Sequence, residues 1–196
     1  MSDKKNILNL SNSLISSDKT CSADIIAISG FGACGKNTVS HIVAKMLGWV
    51  VVEPTFKTLA KREGISLIEF QKRANLDFDI DKKFDEALKD ECKNKKCVIA
   101  TWLGPWMSPR PAFKVWLDVP LQIRAKRILN RDKFSNIQDA LNHLKTRDKD
   151  NVLRYKKIYQ IDITNHDNFD LVIDASNISA KEVAEQIVKT YKLHVA

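Results

Sequence analysis

The sequence predicts an α/β domain, with a five-stranded parallel sheet carrying helices on both faces. Three observations predict it. Apolar runs of strand length alternate along the chain with segments of helical periodicity. A glycine-bearing loop stands between the first such run and the first helix. The first strand, loop, helix and second strand fit within about 30 residues, the length of one βαβ unit.

Asp24-Ile25-Ile26-Ala27-Ile28-Ser29 is apolar and stops at Gly30, as a buried strand does. Past the loop, Val39, Ile42, Val43, Met46 and Leu47 recur at helical spacing, and Gly48 ends that helix. Trp49 to Glu53 is the second strand. From Thr55 to about Lys95 the pattern is helical and polar, interrupted at Gly64 and near Asp77, with Ser66 and Glu69 spaced as a capping box. Cys97 to Thr101 and Phe113 to Asp118 are the third and fourth strands. Pro120 opens a helix running to Arg131, and residues 135–160 form one or two charged helices. Phe169 to Asp174 is the fifth strand, and Ser179 caps a last amphipathic helix reaching about Tyr191.

The 196 residues suit one domain, and the hydrophobic fraction of 44% with 29% charged residues is that of a globular chain. No apolar run approaches the roughly 18 residues that span a bilayer, so no membrane partner is expected. Residues 1–22 are polar and lack the apolar core of a signal peptide. They read as a flexible tail, with Ile7, Leu8, Leu10, Leu14 and Ile15 also compatible with a short amphipathic helix. The domain proper is expected over 23–196. Cys21, Cys34, Cys92 and Cys97 form no CxxC pair, which suggests a reduced, cytoplasmic chain. The net charge of +8 fits either a negatively charged partner, for which nucleotides and nucleic acid both qualify, or a role in solubility. Small nucleotides are the expected partners, with nucleic acid the weaker alternative, and a monomer is expected. His41, His143, His166 and His194 have no partners in sequence and receive no chemistry.

Gly30-Phe31-Gly32-Ala33-Cys34-Gly35-Lys36 fits GxxxxGK. Glycines there allow backbone N–H groups to turn inward around phosphates, the lysine supplies a point charge, and the following helix points its positive end at the same place. The strand before and helix after supply the context that the motif requires. ATP and Mg²⁺ follow as cofactors, with Gly30, Gly32, Ala33, Cys34, Gly35, Lys36, Asn37 and Thr38 as the nucleotide-binding residues. Cys34 also reads simply as a small residue filling a tight turn. Position 37 departs from the pattern: a Ser or Thr hydroxyl usually meets Mg²⁺ there. Asn37 and the neighbouring Thr38 are the candidate metal contacts, with Asp118 at the end of the fourth strand orienting the ion through water.

Several stretches resemble the archaeal-type cytidylate kinases, a family of nucleoside monophosphate kinases. They are Leu59 to Phe70 (LAKREGISLIEF), Ile80 to Asp85 (IDKKFD) and Trp116 to Ile128 (WLDVPLQIRAKRI), with Arg154 to Asp162 (RYKKIYQID) and Leu171 to Ser176 (LVIDAS) the most specific. The resemblance covers about residues 24–192. It implies a three-layer P-loop kinase fold with a helical monophosphate-binding insert over about 54–96 and an arginine-bearing lid over about 130–155. It further implies phosphoryl transfer from ATP to CMP or dCMP, giving ADP and CDP or dCDP.

On that reading Lys36 works with Arg127, Arg131, Arg147 and Arg154, which close over the phosphates. Arg124 stacks near the adenine, where Ser176 also lies. Lys57, Asp81, Asp85 and Trp102 face the acceptor, with Asp81 or Asp85 accepting a hydrogen bond from the cytosine amino group. The competing readings are a solvated basic face for the arginines and a surface acid pair for the two aspartates. Two departures from the family bear on the acceptor. Its Glu-x-Arg-Leu-Ala-Gly-Trp becomes Ala100-Thr101-Trp102-Leu103-Gly104-Pro105-Trp106, and its Gly-acid-x-Phe-Arg becomes Pro54-Thr55-Phe56-Lys57. They motivate two alternatives: a kinase for another nucleoside monophosphate, and a non-catalytic nucleotide- or RNA-binding protein.

Overall fold

The chain's computed structural model describes residues 24–52 and 56–196; the tail expected over 1–22 lies outside them. Five strands form one parallel sheet: β1 (Ile25–Ser29), β2 (Val50–Val52), β3 (Cys97–Ala100), β4 (Phe113–Asp118) and β5 (Leu171–Asp174). Their spatial order is β2-β3-β1-β4-β5, and every neighbouring pair is parallel. The chain leaves β1 toward β2 on one side, yet leaves β3 toward β4 on the other. A crevice therefore opens beyond the carboxyl ends of β1 and β3, the place where such sheets bind ligands.

Burial follows the two-residue period of a strand. Ile26 and Ile28 of β1 join Val115 and Leu117 of β4 in a core shared with α1 (Lys36–Leu47) and α8 (Ala180–His194). Ile25 and Ala27 point the other way, into a core with Ile99 of β3, Leu88 of α4 (Asp79–Cys92) and Tyr155 of α7 (Ile137–Tyr159). Between β2 and β3 lie three helices, α2 (Phe56–Arg62), α3 (Leu67–Leu76) and α4. Gly64 separates the first two at a left-handed φ of 71°, and Ser66 caps α3 by accepting from the Glu69 amide at 3.1 Å. The Glu69 carboxylate pairs with Arg73 instead of returning to Ser66, so only half of the expected box forms at that end. Both halves form at α8, between Ser179 and Glu182.

After β3 the chain makes one short turn, α5 (Gly104–Met107), which the sequence pattern does not announce. Pro120 stands as the N-cap of α6 (Leu121–Arg131), one position before its expected place. Within residues 135–160 there is a single helix, α7, capped by Asn136, whose side chain accepts from the Asp139 amide. The residues expected as a lid fall in the end of α6, the turn after it and most of α7. Cys34, Cys92 and Cys97 are buried free thiols.

Gly30 marks the tightest point between sheet and loop. Its φ is +148°, and a Cβ there would stand 2.7 Å from both the Leu117 carbonyl oxygen and Cys34 Sγ. Gly30→Ala forces a shift of backbone as well as side chain, at a cost of about 1–3 kcal/mol. Thermal melting without ligand should show a midpoint lowered by roughly 2–4 °C for each kcal/mol lost. An unchanged midpoint would mean that the loop relaxes freely.

Candidate active site

The loop after β1 arises from local geometry that few residues adopt. Gly30, Ala33 and Gly35 all take positive φ, 148°, 66° and 103°. Gly35 is the N-cap of α1 and has no side chain to cap it, so the first amides of the helix stay available to a ligand. An anion meets both those amides and the positive end of the helix. Cys34 is buried and packs against Gly30, so it fills the turn. Lys36 is 8% exposed and donates from Nζ to the Gly30 carbonyl at 3.1 Å. Burial lowers its pKa, partly opposed by nearby Cys34 and Asp148, so an arriving phosphate would restore the charge that burial penalises.

A cavity of roughly 280 Å³ opens in front of this loop. Its floor is Gly32, Ala33 and Gly35 to Thr38, with Ala100 to Leu103 at the end of β3 and just after it beside them. Ser29 ties the two loops together by donating from Oγ to the Trp102 carbonyl at 2.7 Å. Phe56, Gln71, Asp81, Phe84 and Asp85 of the insert close the far end, and Arg131, Arg147, Asn151 and Tyr155 form the remaining wall. Among the described residues its cations, Lys36, Arg131 and Arg147, come from the loop and from α6 and α7, whereas its carboxylates come from α4. One end thus suits phosphates, and the other suits hydrogen-bond donors between aromatic rings.

Asp81 and Asp85 are buried rather than solvated. Asp81 Oδ2 lies 3.2 Å from Arg154 Nε in an ion pair almost wholly out of water. Burial raises the pKa of Asp81 even so, with Arg154 opposing the shift. Asp85 accepts a hydrogen bond from the Tyr159 hydroxyl on its Oδ2. Burial pushes Asp85 up to about 6, and the Tyr159 bond pulls in the opposite direction. Asn151 Oδ1 accepts from both Arg154 Nη2 at 2.8 Å and Gln71 Nε2 at 3.3 Å, joining α7 to α3. Phe56 stands edge-on to Phe84, with Arg154 over its ring at 5.1 Å.

Residues 25–177 match the cytidylate kinase-like family. The chain belongs to that family. Proteins called cytidylate kinase from Pyrococcus abyssi and Natronomonas pharaonis are each 35% identical to it, covering 81% and 85% of this chain and 88% and 90% of theirs. A "Cytidylate kinase 2" from Borreliella afzelii is 34% identical over 166 residues, covering 83% of this chain and 93% of its own. Among solved structures, the fold is similar to a gluconokinase from Sinorhizobium meliloti (TM-score 0.57, 13% identity, covering 87% of this chain and 92% of that one). It is also similar to a shikimate kinase from Acinetobacter baumannii (TM-score 0.54, 19% identity, covering 85% and 92%).

Within this cytidylate kinase-like chain the expected site residues divide. Gly32, Ala33, Gly35, Lys36, Asn37, Thr38, Asp81, Asp85, Trp102, Arg131 and Arg147 come together around the cavity. The side chain of Lys57 lies outside the described residues. Arg154 belongs beside Asp81 at the acceptor end, away from the phosphate-closing role expected for it, because a buried guanidinium needs a counter-charge and Asp81 provides it. Arg124 does not present a face for stacking on adenine. It is 5% exposed, donating to the carbonyls of Val119 and Gly32 and to Asp148, with Phe31 covering it. Arg127 binds the carbonyls of Cys34, Ala175 and Ser176, which makes it a clasp between the loop and the segment after β5. Ser176 contributes that carbonyl, and its own amide donates to Asp174. Asp118 is exposed at the end of β4 and lies outside the cavity wall, because β4 flanks β1 on the side opposite β3.

The sequence reading missed Gln71, Thr101, Asp148, Asn151, Tyr155 and Tyr159. One signal was present: 148, 151, 155 and 159 recur at three- and four-residue intervals, one face of a helix. The buried carboxylates also give a pH test. Folded Asp85 holds its proton more tightly than the unfolded chain, so its contribution to stability is present at low pH and lost as pH rises from about 4 to about 6. Asp81 acts with the same sign. Asp85→Asn should flatten this part of the profile in melts of the ligand-free protein between pH 4 and 7. A slope identical to the parent's would show that Asp85 titrates normally.

Proposed function

We propose that this chain is a cytidylate kinase, transferring the γ-phosphoryl group of ATP to CMP or dCMP. The observation that carries the reading is one cavity with a phosphate cradle at one end and two buried carboxylates among aromatic rings at the other. Relatives called cytidylate kinase, alike over most of the chain, support it. In the reaction, an oxygen of the acceptor phosphate attacks the γ-phosphorus, the bond to the β-phosphate oxygen breaks, and ADP leaves with that electron pair. The protein's share is positioning and positive charge.

Lys36 and the loop amides hold the donor phosphates, and Arg131 and Arg147 bring positive charge to the moving group from α6 and α7. Arg131 Nη2 pairs with Asp132 at 2.5 Å, so it would exchange that partner for phosphate. Phe56, Phe84, Trp102 and Tyr155 enclose the acceptor base and exclude water around it. A carboxylate of α4 accepts from the cytosine amino group, a donor that uracil lacks.

Three neutral oxygen-bearing side chains are the candidates to meet Mg²⁺ brought in with the nucleotide. Asn37 and Thr38 are exposed to the cavity, and the buried Thr101 hydroxyl has no hydrogen-bond partner among the described residues. These fit an ion held mainly by nucleotide phosphates and water, the usual arrangement for Mg²⁺. Bound there, the ion would neutralise phosphate charge.

The replacement of a family arginine by Trp102 favours a second reading, a kinase with another acceptor. The side chain at 102 is an indole with Lys36 Nζ 5.4 Å from its ring, so it offers no fork to a phosphate. ADP release from Mg·ATP across a panel of monophosphates decides between the two. Turnover should be fastest with CMP or dCMP; a clear preference for another monophosphate selects the second reading, and nucleotide binding with no turnover leaves a binding protein. Lys36→Met keeps the buried stem and removes the charge, so CMP-dependent turnover should fall about 10²-fold or more. Turnover within threefold of the parent would remove the loop from the reaction.

Asn37 yields a separate expectation. A threonine hydroxyl is a compact ligand, and Mg²⁺ tolerates little departure from octahedral geometry. Asn37→Thr should lower the Mg²⁺ concentration for half-maximal activity and raise kcat. A magnesium titration in which the parent already equals the variant would show that Asn37 or Thr38 serves the ion adequately.

A further inference from the structure

The two carboxylates of α4 are not equivalent. Asp81 has a cation beside it: Arg154 Nε stands 3.2 Å away, and both side chains are nearly solvent-free. Arg154 thus supplies Asp81 with a counter-charge, although Asp81 also lines the cavity and its Oδ2 makes no hydrogen bond among the described residues. Asp85 has no ion-pair partner among the described residues. One of its oxygens accepts from the Tyr159 hydroxyl, and the other, Oδ1, has no partner among the described residues although Asp85 lines the cavity. Tyr159 is the last residue of α7, so its position is set by a helix that is anchored a few turns earlier through Asp148 and Arg124.

Resting on the reading of the chain as a cytidylate kinase, we propose that Asp85, rather than Asp81, accepts the cytosine amino group, and that Tyr159 is the positioning residue that makes it able to. The phenol holds one carboxylate oxygen and leaves the other for the base. A hydroxyl donating to a carboxylate favours the ionised form. The ionised form accepts from the cytosine N4 amino group, whereas a protonated carboxyl can donate to the O4 carbonyl of uracil instead. Tyr159 therefore acts on the cytosine-over-uracil choice without touching the base.

The groups around Asp85 that bear on its titration are Asp81 and Lys89 of the same helix, and Arg154, Tyr155 and Tyr159 of α7. Burial is the largest influence and raises Asp85, the Tyr159 hydrogen bond is the next and lowers it, and Asp81, Lys89 and Arg154 follow. Tyr159 itself is raised, by burial first and by its bond to Asp85 next, so it keeps its proton and stays a donor across the working range.

The test is kcat/KM for CMP and for UMP as a function of pH, in the parent, Tyr159→Phe, Asp85→Asn and Asp81→Asn. Tyr159→Phe keeps the ring and removes only the hydroxyl. It should narrow the CMP-to-UMP ratio at pH 7 about fivefold or more, chiefly through KM, and move the acid limb of the CMP profile upward by roughly half a pH unit or more. Asp85→Asn should narrow the ratio about tenfold or more and abolish that limb, whereas Asp81→Asn should leave the ratio within about twofold even where overall activity drops. If Tyr159 only ties α7 to α4, Tyr159→Phe lowers kcat/KM for both acceptors alike and leaves the limb in place, which overturns the proposal. A ratio that collapses in Asp81→Asn and survives in Asp85→Asn overturns it equally. A parent with no turnover on CMP or dCMP overturns the reading beneath it, and the proposal with it; that outcome shows in the parent before any variant is compared.

Discussion

Arg124 is a guanidinium placed where water cannot reach it, and a charge in that position must find its partners within the protein. It finds them in three elements at once. Its Nε donates to the Val119 carbonyl at the turn before α6, and its Nη1 donates to Gly32 in the phosphate loop and to Asp148 on α7. Satisfying one cation thus fixes the loop against the sheet and α7 against the loop. The pair is worth little as net stability, since desolvation offsets most of the attraction, but it specifies where α7 sits. Arg127 repeats the device one turn later, with carbonyls only.

Once Asp148 is fixed, helical geometry places the rest of the wall. Arg147 falls beside Gly32 at the phosphate end, and Asn151, Tyr155 and Tyr159 follow along one face toward the insert. α7 is consequently a spine common to both halves of the cavity rather than a cover over one. The phosphate end reaches the acceptor end through it, by way of Asn151 to Gln71 and Tyr159 to Asp85.

The second determinant is aromatic. Phe31, inside the phosphate loop, meets Trp102 and Trp116 edge-on at 5.7 and 5.4 Å, and Trp102 continues toward Tyr155. Around Trp102 this chain thus builds a cluster of rings that buries apolar area. Burial raises the carboxyls of Asp81 and Asp85 despite the nearby Arg154.

The sequence by itself determined the sheet, the loop and most helix boundaries, because each depends on neighbours in the chain. A strand buried on both faces is an apolar run, the cradle is a spacing of glycines before a lysine, and Gly64 and Ser179 end or begin helices through their own backbone and side chains. The cavity-lining role of Gly32, Ala33 and Gly35 to Thr38 was legible for the same reason. Only the tertiary structure decided what the charges do. Arg124, Arg127 and Arg154 look alike in a basic stretch, yet one sits under the loop, one clasps carbonyls and one neutralises an aspartate. Asp118 ends a strand as the metal reading required, but β4 lies on the wrong side of β1. Asp81 and Asp85 share a helix face, and their difference comes from residues 73 and 74 positions away in the chain, Arg154 and Tyr159. Local pattern can assign a backbone conformation, but the partner of a buried charge is set by whichever distant segment packs against it.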